Sequence, residues 1–350
     1  MASRFRQAFT VERTINWFPG HMARGIREIR ETMSKVDLVV EARDARIPLS
    51  SINPKLEEIT QGKERLVVYN KADLALSATA PTMVEALKRY RNQSCLFTCA
   101  DTANNVRRII NFAADTARRD PWRYPSITVM VIGMPNVGKS SLINCMRRLG
   151  LRKGKAAQTG ARAGITRRVG QIVKVLDEPT VYLTDTPGVM VPYIADPIQA
   201  LKVALTGGIN EDILDVEILA DFLLFTLNQV HNTEYQTMFK LDQPTDSLPE
   251  LLTMVARRIG ALRKGGEYNL DTAARFFIRQ FQLGKLGRFT LDGIEAEDLE
   301  TFFTVHEPDA RSRSQQKKEM RQQRAQQRIE RQTLKRERKA KAPTSTVRAR

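Results

Sequence analysis

Residues 133–140 of the chain read GMPNVGKS. They match the pattern G-x-x-x-x-G-K-[ST], in which a glycine-rich loop cradles phosphates between a strand and a helix. The apolar run at 127–132 predicts a buried parallel strand before the loop, and 141–146 predicts the first turns of a helix after it. Backbone N–H groups at the start of that helix would face the phosphates. The stretch therefore predicts a phosphate-binding loop in an α/β fold.

The side chains of this loop indicate how it would hold a nucleotide. The Lys139 ammonium would reach the β- and γ-phosphates, and the Ser140 hydroxyl would bind Mg²⁺. The loop alone does not specify the base. The residues predicted to contact the nucleotide here are Asn136, Val137, Gly138, Lys139, Ser140 and Ser141.

A base-reading motif follows an apolar strand predicted at 65–69. Asn70-Lys71-Ala72-Asp73 fits N-K-x-D, the guanine-reading motif of GTPases. The Asp73 carboxylate would accept hydrogen bonds from guanine N1–H and the 2-amino group, whereas adenine would leave it unpaired. Asn70 would tie neighbouring loops together, and the Lys71 stem would cover the base. The same four letters also occur in plain turns, but the position at a strand end favours guanine recognition.

A third strand is predicted at 95–100. Its end resembles the second guanine-contacting motif of GTPases, usually Ser-Ala-Lys, in which the alanine N–H bonds the guanine 6-oxo group. Cys99 and Asp101 replace the usual flanking residues, so only Ala100 is assigned this role.

Two more strands, predicted at 169–175 and 180–184, bring the motifs of the nucleotide switches. Asp185-Thr-Pro-Gly188 fits D-x-x-G, in which Asp185 would be an outer-shell Mg²⁺ carboxylate and the Gly188 N–H would sense the γ-phosphate. In the basic segment 151–168, Thr166 is the best match to the threonine of the first switch, whose hydroxyl completes the Mg²⁺ coordination. The alternative is an ordinary threonine in a polar loop.

The order of these motifs predicts a circular permutation. An ordinary GTPase runs from phosphate loop through the switches to the guanine motifs, whereas here the guanine motifs come first. Joining the original termini through 118–126 and reopening the chain after the second switch gives the same mostly parallel six-stranded sheet with helices on both faces, followed by a smaller all-α domain. The predicted parts are a targeting-like segment at 1–15, a GTPase domain at 16–206, a helical RNA-binding domain at 207–305 and a basic, disordered tail at 306–350.

Charge is concentrated at the C-terminus. The net charge is +17, and residues 311–350 hold 15 Lys and Arg against three Asp and Glu, a net +12. Eight further cations lie between 251 and 288 against two acids, which favours an RNA-backbone surface over an ordinary solvated helical face. They are Arg257, Arg258, Arg263, Lys264, Arg275, Arg279, Lys285 and Arg288.

The cysteines, the apolar stretches and the N-terminus bear on the cellular compartment. The three cysteines lack paired-ligand spacing, and the three histidines are too scattered for a metal cluster. A reduced compartment is the simplest interpretation. The most apolar stretch, 213–230, contains three acids and predicts a buried helix rather than a membrane span. Arginines with interleaved phenylalanines and no acid before Glu12 suit a mitochondrial targeting segment, and an ordinary basic N-terminus suits them equally.

Five stretches together resemble the circularly permuted GTPases of ribosome assembly, in particular their mitochondrial group: residues 17–22, 44–48, 70–73, 133–140 and 185–188. The resemblance covers about 13–303. It implies GTP hydrolysis coupled to maturation of the mitochondrial large ribosomal subunit in support of mitochondrial translation, with contact to its rRNA. It also implies a monomer in the mitochondrial matrix, peripherally associated with the inner membrane.

Two hypotheses concern hydrolysis. Val189 stands where a glutamine orients water in Ras-type enzymes, so intrinsic turnover should be slow. In the resembled family a histidine at the position of His21 is proposed to approach the γ-phosphate on the ribosome; the alternative is that His21 only helps to fold the Pro-Gly turn. In related GTPases an asparagine at the position of Asn136 coordinates K⁺, which would supply positive charge.

Two other functions compete with ribosome-triggered assembly. One is a GTP-dependent module that docks on RNA with hydrolysis incidental, which the missing glutamine favours. The other is a membrane-trafficking or signalling switch, against which the lack of a lipidation motif and the basic C-terminal half argue.

Overall fold

Six strands form one sheet, and β4, which leads into the phosphate loop, lies inside it. The computed structural model describes residues 5–11, 20–151, 172–186, 194, 196–209 and 215–305. The strand order is β3-β2-β1-β4-β6-β5, with every neighbouring pair parallel except β5 and β6. The predicted mostly parallel, six-stranded sheet is confirmed. The strands are β1 (Leu38–Asp44), β2 (Glu64–Asn70), β3 (Cys95–Phe97), β4 (Ser126–Gly133), β5 (Val173–Leu176) and β6 (Thr180–Asp185).

The largest differences from the predicted strand limits are in β1 and β3. The apolar run 36–42 predicts a strand, but β1 begins two residues later and continues two residues further, to Asp44, because Arg43 and Asp44 still pair with Tyr69 and Asn70 of β2. β3 ends earlier, at Phe97, because the chain then turns and Cys99 bridges to Asn104. The predicted start of β5 at 169 lies outside the described residues.

Helices cover both faces of the sheet. Side chains alternate across each strand, so Leu38 and Val40 of β1 join the core beneath α4 and α5, whereas Val39 joins the core beneath α1 and α2. The helices that precede or flank the sheet are α1 (Gly20–Thr32), α2 (Pro54–Ile59), α3 (Thr79–Arg91), α4 (Val106–Arg119) and α5 (Lys139–Leu151).

A charged pair is buried inside β1. Glu41 and Arg43 are each 1% exposed, and the Arg43 guanidinium donates to Glu41 at 2.7 Å. A second guanidinium nitrogen of Arg43 lies 3.4 Å from the Tyr69 hydroxyl, and burial raises the pKa of Tyr69 to about 12. A charge taken out of water must be paired. The strand therefore carries polar residues to its carboxyl end without exposing them.

Helices follow the sheet, as predicted. All but the last share the main core of the sheet, and Leu299 of the last helix packs in a second core cluster with Met83 and Leu87. They are α6 (Pro197–Leu205), α7 (Val216–Gln229), α8 (Glu234–Phe239), α9 (Leu248–Ile259), α10 (Leu270–Gln282) and α11 (Ala296–Val305). No described helix is long and apolar enough to cross a membrane. These helices and the sheet fall within one compact unit, Met1–Ala310. The predicted domain limits, including 206/207, stay predictions.

The six-residue helix α8 was not predicted. The apolar residues Phe276, Phe277, Ile278 and Phe281 predict a helix that is capped near Asp271 and ends at Gly284. The structure agrees, because the N-cap of α10 is Asn269, two residues before Asp271, and its side chain accepts from the Thr272 N–H at 3.1 Å. Gly284 follows the helix with φ +72°.

The described N-terminal residues, 5–11, pack on α7. The Arg6 guanidinium donates to Asp221 at 2.8 and 2.9 Å and to Asp246 at 3.1 Å. The Phe9 ring meets Phe222 edge-on, with centroids 5.2 Å apart. We call residues 5–11 the N-terminal strap. Part of the segment predicted to be targeting-like thus belongs to the folded helical part, and its targeting role stays a prediction.

Candidate nucleotide site

The candidate site lies at the carboxyl ends of β1, β2, β3, β4 and β6, where open parallel sheets bind ligands. β4 ends at Gly133, with φ +146°, and a Cβ there would lie 2.2 Å from the Ala42 carbonyl oxygen of β1. Gly138, with φ +93°, passes so close to Asn70 that a Cβ would lie 2.2 Å from Nδ2. Both glycines of the phosphate-loop pattern are therefore required by contact with neighbouring strands as well as by their φ angles.

The loop folds around its own lysine. Lys139 is 6% exposed, and its ammonium donates to the Met134 carbonyl at 2.8 Å. Lys139 begins α5, and the half-buried Ser140 and Ser141 follow in the first turn. A helix N-terminus presents unpaired N–H groups and a positive dipole end, which together suit phosphate.

Asn70 joins three loops. Its side-chain nitrogen donates to the Val137 carbonyl of the phosphate loop at 3.0 Å. Its oxygen accepts from the Ala100 N–H at 3.1 Å and from the Thr98 hydroxyl at 3.3 Å. Since Asn70 is 2% exposed, these bonds are shielded from water. One side chain thus sets the phosphate loop and both guanine motifs against one another.

Lys71 lies across the phosphate loop. It has a left-handed backbone, φ +59°, and its ammonium donates to the Asn136 carbonyl at 2.5 Å and lies 3.1 Å from the Asp44 carboxylate. Burial lowers the pKa of Lys71, and Asp44 opposes that shift. Asp73 lies two residues further on, in the 3-10 turn Ala72–Leu74, and is exposed.

A buried ion pair supports Lys71. Burial alone would raise the pKa of Asp44, but Arg46 and Lys71 hold it well below its usual range. The Arg46 guanidinium is bidentate to Asp44, at 2.8 and 2.9 Å. Sequence reasoning treated Asp44 and Arg46 only as part of a family motif. Their position at a strand end beside N-K-x-D was the available signal.

The segment after α6 reaches the phosphate loop. The Asn136 side-chain nitrogen donates to the Gly207 carbonyl at 2.8 Å. Gly207 has φ +84°, and a Cβ there would lie 3.2 Å from that nitrogen. This hydrogen bond fixes the orientation of the Asn136 amide. No sequence pattern pointed to it.

The segment that follows α10 reaches the guanine side. The Phe289 N–H donates to the Leu74 carbonyl at 2.9 Å, and the Leu291 N–H donates to the Arg46 carbonyl at 2.8 Å. These bonds hold residues 289–291 against the loops that follow β1 and β2.

Asp292 completes this contact. It is 6% exposed and accepts from the N–H groups of Leu49 and Ser50, at 2.9 and 2.8 Å, and from the Ser50 hydroxyl at 2.6 Å. The Lys202 ammonium of α6 lies 3.2 Å from the same carboxylate. Asp292 therefore joins α6 to the loop after β1.

The switch motifs are described only in part. β6 ends at Asp185, in register with Val131 of β4, and the Thr186 hydroxyl donates to the Val131 carbonyl at 2.7 Å. The Asp185 side chain lies outside the part of the chain that the structure describes, as do Thr166, Gly188 and Val189. The backbone of His21 lies in the first turn of α1, and its side chain is also outside that part.

The donor set suits Mg²⁺. The described residues hold no group of three or more His, Cys, Asp or Glu that would bind a metal unaided. Mg²⁺ usually keeps several waters and takes one or two protein oxygens together with substrate phosphates. Ser140 lies in the first turn of α5, and the strand that ends at Asp185 pairs directly with β4. These oxygens, from a hydroxyl and a carboxylate, are of the type that Mg²⁺ prefers.

The sheet order, the phosphate loop and the motif order define a circularly permuted P-loop GTPase. Residues 128–255 match the family model "50S ribosome-binding GTPase". The crystal structure of GNP-bound YlqF from T. maritima has the same fold, with a TM-score of 0.51 at 23% identity over 77% of this chain and 97% of that one.

Relatives of known name specify the family. Mitochondrial ribosome-associated GTPase 1 of Mus musculus is 38% identical over 79% of this chain and 89% of its own length. The Ictalurus punctatus protein of the same name is 37% identical over 83% of this chain and 97% of its own length. Ribosome biogenesis GTPase A of Bacillus cereus is 32% identical over 82% of this chain and 98% of its own length. The chain belongs to the mitochondrial GTPase 1 family: it is a GTPase that binds guanine nucleotides, and its location is mitochondrial.

Proposed function

We propose that this GTPase acts on the mitochondrial large ribosomal subunit and couples GTP hydrolysis to its assembly, thereby supporting mitochondrial translation. The observation that carries this proposal is the contact of the segment after the second switch with the phosphate loop, through Asn136 and Gly207. Because α6 follows the second switch directly, a change at the γ-phosphate would be passed to the helical part. The names of the relatives, which refer to ribosome association and biogenesis, support a ribosomal partner.

Within the site we assign roles by position. Lys139 and the N–H groups of the phosphate loop bind the β- and γ-phosphates, and Asp73 reads guanine. The Ala100 N–H donates to the guanine 6-oxo group. It also donates to the Asn70 side-chain oxygen, so the two acceptors share it. The further proposed nucleotide contacts are Asn70, Lys71, Asn136, Val137, Gly138, Ser140, Ser141, Thr166 and Gly188.

Mg²⁺, when bound, neutralises charge on the β- and γ-phosphates during transfer to water. We assign it to Ser140 and Thr166, with Asp185 in the outer shell. For K⁺ the proposal rests on Asn136. Its amide nitrogen donates to the Gly207 carbonyl, so the amide would bind K⁺ through its oxygen. The matched test compares turnover in sodium and potassium buffers. Equal rates would remove K⁺ from the proposal.

His21 is the proposed water-orienting group, since valine at 189 has no hydrogen-bonding side chain. Its neutral imidazole would act at matrix pH. The test is His21→Ala with and without large subunits. Loss of stimulated turnover supports the role, and unchanged stimulation would leave His21 as a folding residue of its turn.

The domain limits and location follow from the same proposal. Residues 16–206 form the GTPase domain and 207–305 form the helical domain, which binds rRNA. The basic residues of 306–350 and an anionic inner-membrane surface attract each other, which suits peripheral association on the matrix side. The protein would act as a monomer.

The decisive experiment measures GTP turnover with purified mitochondrial large subunits, with small subunits as the control. We expect the large subunit to stimulate turnover and the small subunit to leave it unchanged. The second candidate, a GTP-dependent RNA-docking module with incidental hydrolysis, is favoured by Val189. It predicts GTP-dependent docking with no change in the single-turnover rate.

A further inference from the structure

Residues 261–269 form a hairpin between α9 and α10. Leu262 and Tyr268 pair as an antiparallel bridge. The Arg263 N–H donates to the Glu267 carbonyl at 2.8 Å, and the Asn269 N–H donates to the Ala261 carbonyl at 2.9 Å. The hairpin therefore has a defined backbone geometry.

The tip of this hairpin is open. Gly265 and Gly266 have φ +108° and +85°, and a Cβ built on either would have no atom within 4 Å. Without side chains, these two residues let another backbone approach closely. Leu262 is 56% exposed and Tyr268 is 41% exposed, so an aromatic face stands beside the open tip.

Exposed cations lie in the hairpin and in the helix turn that leads into it. Arg257, Arg258, Arg263 and Lys264 are exposed, and none of them forms an ion pair with another residue that the structure describes. By contrast, Arg275 of α10 is paired with Asp271 at 3.1 Å.

The eight cations of the helical part are therefore divided. Four precede α10, around the hairpin, and Lys285 and Arg288 follow it, next to residues that contact the guanine side. In the chain, the 13-residue helix α10, about 20 Å long, lies between the two groups. The group at the hairpin is the one that combines unpaired cations with an exposed ring.

We infer that the hairpin binds an unpaired segment of RNA, with its phosphates on Arg263 and Lys264 and a base stacked on Tyr268. This inference rests on the proposed ribosomal function and specifies its RNA contact. Unpaired bases expose the flat faces that stack on aromatic side chains, and cations next to the ring hold the backbone. A base-paired helix keeps its bases stacked inside, so duplex RNA would use the cations but not Tyr268.

The test uses the full chain and fluorescently labelled RNA, comparing a short single strand with a duplex of the same length. Tyr268→Ala should weaken single-strand binding about tenfold, whereas Tyr268→Phe, which keeps the ring, should bind as the wild type does. The Arg263→Ala/Lys264→Ala variant should lower the salt dependence of single-strand binding by about 1.4 in log–log slope. Basal GTP turnover and the melting temperature should not change.

Several outcomes would overturn the inference. They are equal single-strand binding by all variants, equal loss in Tyr268→Phe and Tyr268→Ala, and equal effects of Tyr268→Ala on single strand and duplex. If the variants lose affinity for the large subunit but not for RNA, the hairpin binds a protein and the inference is wrong. Wild-type protein that fails to bind large subunits would instead contradict the proposed function, so the two failures are distinguishable.

Discussion

The guanine side and the switch side of the nucleotide site are built differently. On the guanine side, Asn70 alone makes three buried hydrogen bonds to two other loops, and the Asp44–Arg46 pair supports Lys71. On the switch side, the Gly207 carbonyl after α6 accepts from Asn136, and Lys202 of α6 pairs with Asp292, which itself binds the loop after β1. The base-reading loops are thus cross-linked by buried bonds of their own, whereas the described residues after the second switch reach the phosphate loop through the Asn136–Gly207 bond.

The two sides of the site suit two tasks, nucleotide binding and signalling. Buried, mutually satisfied polar networks fix a single geometry, which suits a site that must recognise one base. A segment whose two arrangements differ little in free energy can be shifted by a ligand that binds one of them more tightly. We expect variants of the guanine side to lose nucleotide binding, and variants of the switch side to lose coupling.

The largest effect should come from Asn70→Ala. It leaves three buried groups of two other loops unpaired, at about 1–3 kcal/mol for each group. We therefore expect GTP affinity to fall about 100-fold or more, about 2.8 kcal/mol. Calorimetric titration with GTP measures this. The control is Asn111→Ala on the exposed side of α4, which should bind normally. Normal binding by Asn70→Ala would contradict the cross-linked guanine side.

Asp73→Asn tests whether this residue on the guanine side selects the base. An asparagine presents an N–H₂ group where guanine also presents donors, whereas xanthine offers a 2-oxo acceptor there. We expect GTP to bind about tenfold to 100-fold more weakly and xanthosine triphosphate to bind more tightly than to the wild type. Competition with labelled GTP measures both. Asp115→Asn on α4 is the matched control, and unchanged preference in Asp73→Asn would remove guanine reading from this residue.

Residues at the ends of strands could be predicted from the sequence, whereas contacts between distant segments could not. Asn70, Ala100 and Lys139 follow or adjoin apolar strands, and parallel strands bring their carboxyl ends to one edge, so their proximity was predictable. The contact of Asp292 with Ser50 spans 242 residues and leaves no local pattern. The Gly207 contact has no signature because it uses a backbone carbonyl. Helix α8 is too short to show a helical period.

On the switch side, Lys202→Met should separate coupling from binding. Asp292 keeps its bonds to Leu49 and Ser50, so the fold should remain and basal turnover should stay within about twofold. Stimulation by the large subunit should fall about fivefold, about 1 kcal/mol of coupling. Turnover with and without subunits measures this, with the exposed Lys88→Met as the control. Full stimulation in Lys202→Met would show that this contact carries no coupling.

The smallest effect should come from the N-terminal strap. Arg6 is about a third exposed, so its ion pairs are partly screened, and Arg6→Ala should cost about 1 kcal/mol of unfolding free energy. Denaturant unfolding measures this, with the exposed Gln7→Ala as the control. Equal stability of Arg6→Ala and wild type would mean that the strap does not stabilise the helical part.

We expect the nucleotide state to control how tightly the helical part binds the ribosome. The direct measurement is the affinity of the full chain for mitochondrial large subunits with a non-hydrolysable GTP analogue and with GDP. We predict tighter binding with the analogue, and loss of that difference in Lys202→Met. Equal affinity in both nucleotide states would contradict the claim.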